Sequence, residues 1–267
     1  MSTTALPTAA QTRALFEHHR VCVLIPTYNN HRTVLQVVDQ VAAFATHIVV
    51  VNDGSTDDTL TLLQGCHPAG AELHVVSYDV NQGKGHALCT GFSEALRLGF
   101  DYALTIDSDG QHYPSDLPAF AAILPQLSRP TIVVGSREVV QKNKSRGSIL
   151  ATRFGNFWFS FQTWQWLPDT QSGYRLYPLP HLHGKRFITS RYEAELELLV
   201  FAAWHGVRLA TVPIDVYYPP QAERVSHFRP FWDFVRIFVL NTTLFFLCFT
   251  YGWWSMLWHR IFPPRIT

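Results

Sequence analysis

Two carboxylates one residue apart, Asp107 and Asp109, stand at the abrupt end of an apolar run in Leu104-Thr-Ile-Asp-Ser-Asp-Gly-Gln-His112. The run predicts a buried strand over Tyr102 to Ile106 that delivers both acids to the edge of a sheet, where open α/β sheets bind ligands. Alternation along an extended chain puts the two side chains on the same side, and paired hard oxygen donors suit Mg2+ or Mn2+ carrying a diphosphate. A lone Asp-x-Asp also describes a strand-ending turn with solvated acids. What favours chemistry is the company it keeps: polar clusters of the same kind end several other apolar runs.

Those runs alternate with helical patterns. Val21 to Ile25 predicts a strand closed by Pro26 and a loop at Thr27-Tyr28-Asn29-Asn30, followed by a helix over Thr33 to Phe44 with Val34, Val37, Val38, Val41 and Phe44 at helical spacing. His47 to Val51 is β-branched and reads as a strand buried on both faces. It ends in Asn52-Asp53-Gly54, where Ser55 or Thr56 is expected to cap a helix running through Leu63. A strand over Glu72 to Ser77, a loop at Asn81 to Gly85 and a helix over His86 to Leu98 complete the approach to the acidic motif. Beyond it come a helix over Pro114 to Leu127 and a strand over Thr131 to Val134, ending at Gly135-Ser136-Arg137. This rhythm predicts a mostly parallel sheet wound with helices. Two other motifs fail: an EF-hand loop begun at Asp53 would have Asp58 at its sixth position and Gln64 at its twelfth, and Gly83-Lys84-Gly85 lacks the third glycine of a dinucleotide fingerprint. Lys84 still supplies a positive charge suited to phosphate.

The chain has 267 residues, enough for one domain and an appendage. A net charge of +1 gives no argument for nucleic acid as a partner, and none is expected. Cys22, Cys66, Cys89 and Cys248 have no metal-ligand spacing and read as reduced packing residues of a cytosolic compartment. Residues 1–20 read as a frayed lead-in. Gln141 to Arg153 is polar and basic, a candidate lid. Phe154 to Leu167 is apolar around most of a helix, the pattern of a buried or lipid-facing element. A turn at Asp169 to Arg175 precedes a helix over Arg191 to Trp204, in which Glu193, Glu195 and Glu197 cannot share a face, so Glu195 or Glu197 is expected to point inward. Val207 to Val216, broken by Pro213, predicts an edge strand. Ile237 to Trp258 contains no charged side chain and either crosses a bilayer or lies in its interface.

Together these motifs resemble the family 2 glycosyltransferases of GT-A fold, nearest the dolichol- and polyprenol-phosphate sugar transferases, over about Val21 to Arg229. The resemblance implies a GT-A catalytic domain over residues 21–230, a single Rossmann-like sheet flanked by helices, and a membrane-associated or transmembrane segment over residues 231–267. It implies donor contacts from Pro26, Tyr28, Asn29, Asp53, Lys84, Asp107 and Ser108, and a Mg2+ or Mn2+ ion on Asp107, Asp109 and Gln111. Arg137 and Arg153 fall where the family places arginines toward phosphate, with Arg175 as a further catalytic cation. Ser226-His227 stands where a Ser-Lys pair is usual, and Arg224 matches a nearby arginine loosely, so the acceptor phosphate site departs from the pattern. The implied reaction is inverting transfer of a sugar from a UDP- or GDP-sugar to a membrane lipid acceptor, polyprenyl phosphate first, at the cytoplasmic face of the membrane. A hydroxyl acceptor would instead need a general base, Glu195 or Asp169. Nucleotidyl transfer and non-catalytic nucleotide binding at a membrane are the competing classes.

Overall fold

The computed structural model describes residues 5–137, 146–182, 189, 191, 193–217 and 230–264, the side chains of 146–154 and 230–234 excepted. Its centre is a seven-stranded sheet of order β3-β2-β1-β4-β6-β5-β7. The strands are β1 (Val21–Thr27), β2 (His47–Asp53), β3 (Glu72–Tyr78), β4 (Tyr102–Thr105), β5 (Thr131–Ser136), β6 (Arg175–Pro178) and β7 (Arg208–Pro213). All pairings are parallel except those of β6, which runs antiparallel between β4 and β5.

Strand alternation divides the core into two layers. Val21, Val23 and Ile25 of β1 face one layer, with α1 (Ala9–His18), α2 (Val34–Ala42), α3 (Thr59–Gln64) and α5 (Leu117–Ile123). Cys22 and Leu24 face the other, with α4 (Lys84–Arg97), α6 (Arg146–Thr163), α7 (Glu193–Trp204) and α8 (Pro230–Leu247). Beyond α8 a π turn, Cys248–Gly252, leads into α9 (Trp253–Ile261). The four cysteines are free.

Several elements differ from expectation. Residues 9–18, read as frayed, form α1: Thr8 and Gln11 make a reciprocal capping box, and Phe16 is buried in the core. Strand β6 had no forecast, because four residues that open on an arginine carry little strand pattern. Helix α3 starts at Thr59, later than expected, because Ser55 and Thr56 bond across to Asn29. Helix α6 starts at Arg146, inside the stretch read as a lid; residues 141–145 of that stretch lie outside the described residues. Pro213 ends β7 at the sheet edge, where its missing N–H leaves no gap in a ladder.

Candidate active site

The parallel strands end on a common edge, and three loops there are laced together. Asn29, at φ +51°, follows β1; its N–H donates to Ser55 Oγ at 2.9 Å, and its Oδ1 accepts from the Thr56 N–H at 2.8 Å. Asn30 Nδ2 donates to Ser108 Oγ at 2.7 Å and Thr33 Oγ1 to the Ser108 carbonyl at 2.6 Å, so the loop after β1 fixes the middle of the acidic motif. Asp53 is 3% exposed. Its carboxylate accepts from Asn81 Nδ2 (2.9 Å), Gln82 N–H (2.7 Å) and Gly83 N–H (2.9 Å), which pins the glycine loop and the start of α4. Pro26 is buried within β1, and Tyr28 is half-buried just beyond it.

Lys84, first residue of α4, is the hub. Its Nζ lies 2.7 Å from Asp107 Oδ1 and 3.0 Å from Glu195 Oε2. Burial disfavours the ammonium, but the carboxylates of Asp107 and Glu195 outweigh it and hold the pKa above the ordinary lysine range. Gly173 completes the contact: a Cβ there would sit 2.8 Å from both Asp107 Oδ2 and Lys84 Nζ. Only glycine lets the Ser172-Gly173-Tyr174 backbone close over the ion pair without displacing it.

Burial pushes the Asp109 carboxyl up to about 6, helped by the negative charge of Asp107. Its Oδ1 accepts from the Gln111 N–H at 2.9 Å, across a turn that uses Gly110 at φ +74°. Beside Asp109 and Gln111 opens a cavity of about 730 Å³, bounded by Arg32, Gln36 and Tyr217. Two crowded carboxylates, one of them destabilised in its charged form by the other, are a donor set that fits a hard divalent cation. Among the described residues no three His, Cys, Asp or Glu side chains form a closed metal cluster.

Asp169 and Glu197 are matched with a cation or with donors, whereas Glu193 Oε2 is buried without a partner among the described residues. Asp169, 5% exposed, forms a two-pronged salt bridge with Arg137, Nη2 to Oδ1 at 2.8 Å. Of the α7 glutamates, Glu195 reaches the site; Glu197 Oε2 accepts from Thr189 N–H at 2.9 Å and from its hydroxyl. Arg175 stands behind the site, where its charge favours the Asp107 carboxylate. It is fully buried, and it donates to the carbonyls of Ser172 (2.6 Å), Thr170 (3.0 Å) and Glu195 (2.8 Å) and to Tyr177 Oη. It is a brace that ties the 170–173 loop to the start of α7. Arg153 stands on α6, its side chain outside the described residues, as are Arg224, Ser226 and His227.

Sequence reading missed the Lys84 bridge, because it joins residues from three distant segments. It also missed the closeness of Gly173, for which a glycine beside a predicted turn was the available signal. His112 went without a role: it is buried, forms a β-bridge with Val216, and burial pushes its imidazole down to about 4, so it is neutral at neutral pH.

Residues 22–190 match the family model described as Glycosyl transferase family 2. A UDP-N-acetylglucosamine–dolichyl-phosphate N-acetylglucosaminyltransferase of Methanococcus voltae is 28% identical over 217 residues, 74% of this chain and 86% of that one. The polyprenol monophosphomannose synthase of Mycolicibacterium smegmatis is 30% identical over 204 residues, 73% of this chain and 76% of that one. In fold, the chain is similar to glucosyl-3-phosphoglycerate synthase of Mycobacterium tuberculosis, solved with Mn2+, UDP and phosphoglyceric acid. The TM-score is 0.63 at 20% identity, over 93% of this chain and 84% of that one. The acidic motif at the end of β4, the laced loops around it and these matches agree: the chain belongs to glycosyl transferase family 2, near its dolichyl- and polyprenyl-phosphate sugar transferases, and is a glycosyltransferase.

Proposed function

We propose that the chain transfers a sugar from a UDP- or GDP-sugar to a polyprenyl phosphate at the cytoplasmic face of a membrane, by a single inverting displacement. One observation carries the choice of acceptor: both acids that could serve as a general base are already engaged with cations, Glu195 with Lys84 at 3.0 Å and Asp169 with Arg137. A hydroxyl acceptor needs a base to take its proton, whereas a lipid phosphate is already an anionic nucleophile at neutral pH. The naming of the relatives from Methanococcus voltae and Mycolicibacterium smegmatis supports the same acceptor.

In this reading Tyr28 and Asn29, with the loop that Asp53 holds, receive the nucleoside. Ser108 and Lys84 orient the diphosphate. Asp107 and Asp109, with Gln111, would hold Mg2+ or Mn2+, which when bound would supply positive charge against the departing diphosphate. Lys84 supplies a permanent second cation at the same place, and Arg137, with Arg153, Arg224, Ser226 and His227, is assigned to the acceptor phosphate.

One observation favours the hydroxyl reading: Glu195 Oε1 is buried without a hydrogen-bond partner among the described residues, an acceptor with capacity to spare. The two are separated by incubating the protein and Mn2+ with a panel of nucleotide sugars, with and without polyprenyl phosphate, and measuring nucleoside diphosphate release and product mass. A glycosyl phosphate product formed only with the lipid phosphate supports the proposal. A glycoside without a phosphate linkage overturns it and transfers the weight to Glu195.

A further inference from the structure

The helix from Val235 to Ile261 has 27 residues and is long and apolar enough to cross a membrane. Its packing says otherwise. Leu240, Leu244, Cys248, Gly252 and Met256 form a buried stripe at every fourth position, turned toward the catalytic domain. In an α-helix a four-residue step overshoots a full turn by about 40°, so such a stripe would wind away from its partner. The π turn at Cys248–Gly252 fits more residues into one turn and offsets much of that drift. Gly252 thereby lies flat on Trp204, where a Cβ would meet the indole at 2.3 Å.

Further along the same face, Ser255 Oγ donates to the Trp204 carbonyl at 2.7 Å, and a Cβ on Gly206 would meet His259 at 2.8 Å. The domain thus lines this helix from Leu240 to His259. A helix crossing a bilayer in this arrangement would carry α7 and the start of β7 into hydrocarbon, where their polar groups have no partners.

The opposite face is aromatic and outward. Phe238, Phe246, Trp254, Trp258 and Ile261 are each 60–70% exposed. Trp164, just after α6, is itself about half exposed and packs on Trp253, ring centroids 5.7 Å apart. No charge interrupts the outward row from Ile237 to Trp258, and Arg236 and Arg260 bracket its ends. Tryptophan-rich apolar rows with basic ends suit the boundary between headgroups and acyl chains.

We infer that residues 235–261 form an in-plane membrane anchor, whose outward row enters one leaflet while its other face stays on the catalytic domain. The occupant of that row is a lipid surface. The inference deepens the lipid-acceptor reading and rests on it for the membrane's role. It also ties the active site to the bilayer rigidly: Glu195 and Trp204 stand nine residues apart on α7, about 14 Å along one helix.

The test places nitroxide labels on cysteines introduced one at a time at Val239, Phe246, Trp254 and Ile261 of the full chain, with Cys66→Ser and Cys89→Ser. Label depth is then measured on phosphatidylcholine–phosphatidylglycerol vesicles. The anchor predicts four similar depths of about 5–10 Å. A profile deepest at Phe246 and Trp254 and shallow at both ends means a crossing helix and overturns the inference. Labels that never meet lipid overturn it too, and assign the row to a protein partner or a second copy. In the unlabelled chain, W254E/W258E should lower vesicle partitioning at least about tenfold. The same variant should keep wild-type turnover of a short, water-soluble prenyl phosphate. Absence of that turnover in the wild type would overturn the lipid-phosphate reading and leave the depth profile to decide the anchor.

Discussion

Replacing Gly173 with alanine tests whether the ion pair beneath it sets the geometry of the reaction. The new methyl would lie 2.8 Å from Asp107 Oδ2 and 2.8 Å from Lys84 Nζ. Ordinary contact begins at 3.4 Å, so each must retreat by about 0.6 Å. The Lys84 contacts to Asp107 and Glu195, now 2.7 and 3.0 Å, would then pass beyond good hydrogen-bond length. A charge-assisted bond is worth about 1.5–3 kcal/mol. Both side chains end in atoms that can shift, so the loss should be about 1–2 kcal/mol, a fall in Tm of about 2–8 °C for a chain of this size. Activity should suffer more, since a misplacement near 1 Å at a reacting centre costs up to about a hundredfold. Calorimetry and nucleoside diphosphate release measure the two effects. Gly155 is the control: a Cβ there meets nothing within 4 Å, and G155A should stabilise α6 by about 0.5–1 kcal/mol. If G173A keeps wild-type Tm and a kcat within about twofold of wild type, against the hundredfold that misplacement can cost, the reasoning fails.

Other perturbations read different parts of the site. D107N should lower transfer by about a hundredfold or more and remove the dependence of donor binding on divalent metal; near-normal titration calorimetry with Mn2+ and donor would sink the assignment. R175K cannot reproduce the fork that braces the carbonyls of Ser172, Thr170 and Glu195, and should cost about 2–4 kcal/mol in urea unfolding. Burial raises the Asp57 carboxyl, but hydrogen bonds from Thr59 and His31 outweigh it and hold the group at about 2. Its contribution is therefore present above the unfolded value of about 4 and lost as pH falls through the folded one. D57A should cost about 1–2 kcal/mol near neutral pH, with the gap to wild type closing as pH falls from about 5 to about 2; a gap constant with pH would count against it.

What could be read from the sequence was whatever depends on local pattern. The apolar runs that became β1, β2, β4 and β5 are buried on both faces, and their polar ends mark the site edge without any knowledge of tertiary structure. The capping box of Thr8 and Gln11 was also there to be read; with Phe16 as its main core contact, α1 carries too little apolar pattern to stand out. What could not be read depends on which strand lies beside which. That the arginine of the Ser-Gly-Tyr-Arg stretch, read as a catalytic cation, is also a buried brace follows only from the pairing of β6. Glu195 and Asp169 look like free bases until the fold brings Lys84 and Arg137 against them.

Strand β6 also has a consequence for how the molecule is made. On the ribosome β4 and β5 emerge before it, yet they are not neighbours; each pairs with β6. The first four strands can assemble as a unit of order β3-β2-β1-β4, but β4 then presents a bare edge until residues 175–178 arrive. Lys84 and Asp107 belong to that early unit, Gly173 and Glu195 to the late one. A nascent or truncated chain therefore holds the Lys84–Asp107 pair without Glu195, the second carboxylate on Lys84, and without the Gly173 backbone that covers it. Closure of the sheet by its one reversed strand is the step at which folding and the completion of the active site become the same event.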